Sequence, residues 1–245
     1  MTFNGGSPKQ APSTSGRWRK LKKNIFVGFF IDLLTIVGIA LVLSLLVKTF
    51  LIRSFFIPSD SMNNTLVQQD RIIVNELVPN IVPLNHGDVV VFRDPGTWLG
   101  SPTAKPANGF VAFGEWFLSA FGFTAPDSEQ HLVKRVIGLE GDHIVCTAPE
   151  AKLQINGVTI TETYLPKEAL PCGMVFDVTV PKGSIWVMGD NRNNSADSRY
   201  HQDLPSKGFV DKKYLVGRAF VLSWPTSHWK WLDNYPNVFK DVPKP

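Results

Sequence analysis

An all-β domain behind a single N-terminal transmembrane helix is what this sequence predicts, on three observations. Residues 25–47 form an apolar stretch whose one charge is Asp32. From Arg71 onward, short β-branched runs alternate with Gly, Pro, Asn and Asp turn residues. No long amphipathic helix recurs between those runs, which disfavours a doubly wound α/β arrangement. The chain thus divides into a basic tail at 1–23, an anchor at 24–50 and one folded domain at 51–245. One domain is what 245 residues with 44% hydrophobic content can be expected to build.

The tail comes first. Residues 1–16 are rich in Gly, Ser, Pro and Thr, show no apolar period, and read as disordered. Arg17–Lys23, RWRKLKK, then lead into Ile25–Val47. At about 1.5 Å per residue that stretch makes a helix of roughly 34 Å, enough to cross a hydrocarbon core of about 30 Å. Asp32 falls in its first third, where the carboxylate can reach the interface. Five basic residues precede the stretch, and only Lys48 and Arg53 closely follow it. The positive-inside rule then puts the N-terminus in the cytoplasm and the domain outside, in the plasma membrane's single-pass form. The apolar region is too long for a cleaved leader, and LVKTFLIRSFF lacks a small-residue cleavage pattern, so the anchor is permanent.

Charge separates the two parts. Residues 1–53 hold eight Lys/Arg against Asp32, out of 25 basic and 21 acidic residues in all. The remainder therefore carries seventeen basic and twenty acidic residues, a balance of −3. A slightly acidic domain with its basic excess beside the anchor excludes nucleic acid as a partner and points to an anionic lipid surface.

The strands follow from composition. RIIVN (71–75), DVVVF (88–92), HLVKRVIG (131–138), HIVC (143–146), FDVTV (176–180), SIWVM (184–188) and RAFVLSW (218–224) are β-branched or aromatic runs bounded by turn residues. Between Leu153 and Ile160, Asn156-Gly157 separates two apolar runs and predicts a tight hairpin. Residues 95–108 read as loop. The apolar, aromatic segment 109–123 is short for a membrane span; it reads as an interfacial helix beside the anchor, a core helix, or a second crossing. Cys146 and Cys172 have no metal-ligand spacing. In an extracytoplasmic domain they are expected to pair, two buried thiols being the alternative.

Three segments carry candidate chemistry. Pro58-Ser59-Asp60-Ser61-Met62 lies just past the anchor, where a serine can meet a chain emerging from the bilayer. Serines in polar loops are ordinarily only solvated, so position is what singles these out. On period-2 alternation, Leu132, Lys134 and Val136 share one face of their strand, and Val133, Arg135 and Ile137 the other. Both faces mix a cation with aliphatics. Either the charges guard a strand edge, or a desolvated Lys134 has lost enough basicity to act as a base. Gly189–Arg199, GDNRNNSADSR, is a polar loop of Asx-turn residues that can also support a site. His86, His131, His143, His201 and His228 sit at turns or strand ends without the context of a Ser-His-Asp triad.

Together the three segments resemble bacterial type I signal peptidases. The family's Pro-Ser-x-Ser-Met, Thr-Leu and Asp-x-Ile-x-Val-Asn appear at 58–62, 65–66 and 70–75. Its Lys-Arg-Val-x-Gly-x-x-Gly-Asp appears at 134–142, and Gly-Asp-Asn-Arg-x-Asn-Ser-x-Asp-Ser-Arg at 189–199. The single anchor and the cysteine pair look most like the enzymes of Gram-positive actinobacteria. The resemblance implies a Ser61 nucleophile and a Lys134 general base, with Ser59 and the Ser61 N–H at the oxyanion. It implies that Ser195 hydrogen-bonds the Lys134 amine, and that Asp197 and Arg199 pin that loop. Ile57, Pro58, Met62, Leu66, Leu132 and Val133 would line shallow pockets for an Ala-x-Ala-type segment. The implied partners are signal peptides of exported preproteins, membrane lipid and the secretion translocon, with no cofactor or metal. The chain departs from the pattern at Asn64 (often Pro), Gln69 (usually Gly), Glu140 (usually Pro) and Asn193 (commonly Asp), all outside the nucleophile and base positions. A repressor-type Ser/Lys peptidase would need a DNA-binding headpiece, and a penicillin-binding protein would show Ser-x-x-Lys; neither is present. An anchored, non-enzymatic β-domain would be signalled by loss of Ser61 or Lys134.

Overall fold

The computed structural model describes residues 25–96, 98–99 and 131–243; the segment 109–123 and the tail 1–23 lie outside the described residues. The chain separates into two compact units, one ending at Val47 and one running from Lys48 to Pro245. Helix α1, Ile25–Phe50, is apolar nearly throughout. Among the described residues it is the one helix long and apolar enough to cross a membrane. Phe29, Leu34, Ile36 and Leu41 on it are exposed, as suits a helix without a protein core of its own.

The second unit is two antiparallel sheets. Its strands in chain order are β1 (Ile52–Phe56), β2 (Arg71–Asn75), β3 (Val89–Arg93), β4 (His131–Gly138), β5 (His143–Cys146), β6 (Gln154–Ile155), β7 (Val158–Thr159), β8 (Phe176–Thr179), β9 (Ser184–Met188), β10 (Val210–Asp211), β11 (Leu215–Trp224) and β12 (Lys230–Trp231). A one-turn helix α2, Pro236–Phe239, follows. The larger sheet runs β1-β2-β11-β3-β4-β9-β10, with β12 pairing β11; the smaller runs β7-β6-β5-β8. The all-β expectation holds, with β4, β5 and β9 at their sequence-derived bounds. β1, β10 and β12 were not anticipated. β1 hides in the apolar run leaving the anchor, and two-residue bridges leave no periodicity to read.

Asn156 and Gly157 both take positive φ, 52° and 79°, in the hairpin turn between β6 and β7. The two sheets share a core in which Ile137, Trp186 and Met188 of the larger meet Ile144, Ile155 and Phe176 of the smaller. Gly138 lets them approach: a Cβ there would lie 3.0 Å from Val180 Cγ2 and collide with Ile144 Cδ1. Asp142, at the turn joining β4 to β5, accepts from Leu139 N (2.6 Å) and Asn156 Nδ2 (2.7 Å) and pairs with His86 Nε2 (2.6 Å). Burial pushes its carboxyl pKa up, but these bonds outweigh that and hold it below the usual range.

A buried ion pair braces the larger sheet. Arg135 of β4 is fully buried and forks onto Asp190, with Nε–Oδ1 at 2.8 Å and Nη2–Oδ2 at 2.6 Å. Its remaining donors reach Gly87 O (2.6 Å) and Asp233 O (3.2 Å), and its plane lies 4.2 Å from the Tyr164 ring and 5.2 Å from Tyr235. Removing one member of such a pair strands the other as a buried charge. Arg135→Met is therefore expected to cost about 3–5 kcal/mol. Chemical unfolding of the full chain in detergent measures it. A loss under about 1 kcal/mol would put the pair in the class of exposed ion pairs.

Candidate active site

Ser61 follows β1 on a tight turn. Ile57 N donates to Asp70 O and Gln69 N to Ile57 O, which closes the segment into a loop, while Thr65 N and Leu66 N both reach Met62 O. The apolar side chains explain why it folds there: Ile57, Met62 and Leu66 are buried with Phe55, Val91 and Val133 in one cluster. Asp70 Oδ2 accepts from Val67 N at 2.9 Å, and Asp70 Oδ1 pairs with His228 Nδ1 at 2.9 Å, tying off the loop's far end. Ser61 is anchored from the opposite side by its carbonyl, which accepts from Asn191 N at 3.0 Å; Asn191 Nδ2 adds a bond to Asp60 O.

Lys134 comes from β4, where its register partner is Val90 of β3. Its side chain is 2% exposed. The amine lies 2.5 Å from Ser61 Oγ, and among the described residues no carboxylate forms an ion pair with it. Burial lowers its pKa from 10.5 to about 8. The charges of Asp197 and Asp190 pull it up, and that of Arg199 pushes it down. Ser59 Oγ lies 3.3 Å from Ser61 Oγ. The Ser61 N–H donates to nothing among the described residues, so a free backbone donor stands beside the hydroxyl.

The loop 189–199 packs against this pair. Gly189 has no room for a side chain: a Cβ would collide with Ser195 Oγ and with the Ser61 carbonyl. Asp197 and Arg199 are both fully buried and joined by two bonds of 2.8 Å, while Asp197 Oδ2 also accepts from Gly189 N at 2.9 Å. Burial raises the Asp197 pKa and the Arg199 contacts more than reverse it, leaving a carboxylate held below its usual range. Asp197 caps the short 3-10 turn Ser198–His201, and Ser198 Oγ accepts from Val187 N at 3.0 Å, which fixes the loop to β9.

Not every expected contact forms. Ser195 is buried against Gly189, but among the described residues its hydroxyl makes no hydrogen bond, and the expected bond to the Lys134 amine does not form. The Lys134 amine instead contacts Ser61 Oγ, 2.5 Å away. Of the pocket candidates, Ile57, Met62, Leu66 and Val133 share one cluster and Pro58 is exposed. Leu132 packs with the cluster of Val90, Phe92 and Val187, because adjacent strand residues face opposite ways. The histidines serve elsewhere: His86 on Asp142, His143 on Asp177, His228 on Asp70, His201 on Asp197 O, and His131 against the Phe55 ring.

Several supporting residues escaped sequence reasoning. Thr65 Oγ1 donates to Asp190 Oδ2 at 2.5 Å, linking the Ser61 loop to the Arg135 pair. Arg192, also buried, pairs with Glu162 and reaches Pro171 O. Arg135 and Arg192 carried a signal, being cations among apolar or turn residues. Thr65 lay in the Thr-Leu pair of the family pattern with no role attached, and Glu162, Tyr164 and Tyr235 carried no signal.

Known proteins share this arrangement of segments. The family model described as "Signal peptidase, peptidase S26" matches residues 30–224, a span that contains Ser61, Lys134 and the whole 189–199 loop. Signal peptidase I of Mycobacterium tuberculosis (strain H37Rv) is 39% identical over 211 residues, covering 78% of this chain and 71% of that protein. A probable signal peptidase I of Mycobacterium leprae is 35% identical over 218 residues, covering 78% and 75%. Signal peptidase I of the cyanobacterium Leptolyngbya laminosa is 32% identical over 191 residues, covering 78% of each chain. The chain belongs to the signal peptidase family, peptidase S26.

Proposed function

We propose that this serine endopeptidase cleaves signal peptides with Ser61 as nucleophile and Lys134 as general base. The observation that carries the reading is the 2.5 Å separation between Ser61 Oγ and a buried amine whose pKa is about 8. A serine hydroxyl attacks poorly until a neighbour takes its proton, and a neutral amine can take it. In the forward step the Lys134 lone pair accepts the Ser61 proton while Oγ adds to the scissile carbonyl carbon. The carbonyl π pair moves to oxygen, where the free Ser61 N–H and the Ser59 hydroxyl donate to it. The Lys134 ammonium then protonates the departing amine, leaving an acyl-enzyme. Water, deprotonated by the same amine, hydrolyses that ester and restores Ser61. Ser195, with an unpaired hydroxyl buried against the same glycine, is available as an acceptor for the ammonium once it forms.

Lys134→Arg tests the base. A guanidinium with a pKa above about 12 keeps the charge and cannot accept the proton, so turnover should vanish while the protein stays folded. In the wild type the active form is the neutral amine. Kcat/KM should therefore rise with pH through an apparent pKa of about 8 and level off above it. Activity retained in Lys134→Arg, or a rise centred near 6.5 as for a histidine, would end the assignment.

Specificity should follow from the buried wall of Ile57, Met62, Leu66 and Val133. A pocket formed by such branched, packed side chains would reject a large residue, because overfilling a packed pocket costs about 1–3 kcal/mol. The substrate would lie extended beside the site, its main chain bonded as an added strand. Sequencing the new N-terminus of a processed preprotein should show Ala, Gly or Ser before the cut. Frequent Leu or Phe there would contradict the pocket assignment.

The same function fixes a topology. Helix α1 would cross the membrane with the N-terminus cytoplasmic and the catalytic unit outside, within reach of lipid and of chains leaving the secretion translocon. Cysteine labelling from outside the cell should reach positions after 55 and miss positions before 24. Outside labelling of the tail would overturn the orientation.

A further inference from the structure

A disulfide joins Cys146, at the end of β5, to Cys172, with the two Cα atoms 5.7 Å apart. Twenty-six residues separate them in sequence. The half containing Cys172 belongs to a strap, residues 162–173, that forms no helix or strand. Such a segment has no ladder of its own to hold it. It rests instead on Cys172 N and Gly173 N, which both donate to Pro149 O (3.2 and 2.9 Å), and on the disulfide beside them.

What the strap touches is the catalytic machinery from three directions. Tyr164 O accepts from Asn64 Nδ2 of the nucleophile loop at 2.5 Å, and the Tyr164 ring stacks on Arg135, next to Lys134. Pro171 O accepts from Arg192 Nη1, and Arg192 also holds Glu162 and Gly189 O. Cys172 O accepts from Arg199 Nη1 at 2.9 Å. Leu170 N and Glu168 O bond to the amide of Asn193 at 3.1 and 3.3 Å. Gly173 has no Cβ because one would collide with Arg199 Nη1. The carbonyls of 171 and 172 are thus a ledge on which two buried guanidinium groups hang. Those groups in turn hold Asp197 and Gly189 against Lys134 and Ser61.

We propose that the Cys146–Cys172 disulfide is a positioning element of the peptidase site, fixing this ledge so that Arg192 and Arg199 hold the 189–199 loop closed over the Lys134 amine. The inference rests on the Ser61/Lys134 reading above. Cys146 and Cys172 touch no substrate; they act through Arg199 and Arg192. The charged groups facing Lys134 are Asp197, Arg199 and Asp190. With the ledge free, Arg199 loses one of its buried acceptors, Cys172 O, the loop loosens, and water reaches the amine. Burial is the largest cause of the low Lys134 pKa, so wetting the site moves that pKa back up toward 10.5.

The test uses the full chain in detergent, as wild type, as Cys146→Ala/Cys172→Ala, and as wild type reduced by dithiothreitol and then alkylated. In the reduction the dithiol passes two electrons and two protons to the sulfurs, giving two thiols and its own cyclic disulfide. Ile155→Ala, which removes buried core in the same small sheet, serves as the control for lost stability alone. Cleavage is measured against pH at a temperature where all forms are folded. Without the disulfide, kcat should fall by about tenfold or more with KM little changed, the scale expected for a small misplacement of reacting groups. The alkaline rise in kcat/KM should move up by about one pH unit, while Ile155→Ala leaves it in place. Unchanged kcat and an unmoved rise in the disulfide-free forms, whatever their melting temperature, would overturn the proposal. So would complete loss of folding in both forms, since the bond would then determine the fold and not the site. If the wild type shows no rise near 8, or Lys134→Arg stays active, the base assignment is what has failed.

Discussion

Keeping one amine dry is the constraint on which the rest of this unit depends. Moving a lysine's pKa from 10.5 to about 8 costs on the order of 3 kcal/mol at neutral pH, because the buried site disfavours the ammonium. Nothing at Lys134 itself offsets that cost. The surroundings must therefore be stable enough to impose it and must not offer the amine a counter-charge that would restore its proton. Asp197 is the nearest danger. Its carboxylate is occupied by two nitrogens of Arg199 and by Gly189 N, which leaves it a charge that raises the Lys134 pKa but does not outweigh burial. The positive charge of Arg199 itself adds to burial in lowering the Lys134 pKa.

The neighbouring residue shows the other solution to the same problem. Arg135 is as buried as Lys134, on the opposite face of one strand, and every direction around it is filled by Asp190, backbone carbonyls and two tyrosine rings. One strand thus carries a fully paired cation and an unpaired amine side by side. Pairing makes Arg135 permanent in its charge. Lack of pairing makes Lys134 able to change its own, which is the property a general base needs.

How much of this was legible follows from where the information lies. β4, β5 and β9 are runs whose periodicity and flanking turns are local, so their bounds could be read directly. Ser61 and Lys134 were legible because each sits in a motif with a recognisable order. Lys134 also stood out physically as a cation among aliphatics. The Asp190–Thr65 and Glu162–Arg192 contacts were not legible, since each joins residues 125 or 30 positions apart whose types are ordinary alone. The Ser195 hydroxyl, without a hydrogen bond among the described residues, could not be foreseen either, because no local pattern fixes which group a buried hydroxyl meets.

The departures from the family pattern acquire a physical meaning from the strap. Asn64 has φ of 88°, which proline, locked near −65°, cannot adopt. Its side chain supplies a tether to Tyr164 O in place of a ring's rigidity. Gln69, where glycine is usual, also takes a positive φ of 70° and accepts a cost on the order of 1 kcal/mol to do so. Asn193 accepts from Leu170 N and donates to Glu168 O, and only an amide can do both; the aspartate common at that position would lose the second bond. Two of the four departures therefore add hydrogen bonds to the same segment that the disulfide closes. Changes in loop chemistry and a covalent staple converge on residues 162–173. Where the chain itself forms neither helix nor strand, that segment is held to the Ser61 loop and the 189–199 loop by these side-chain and backbone bonds.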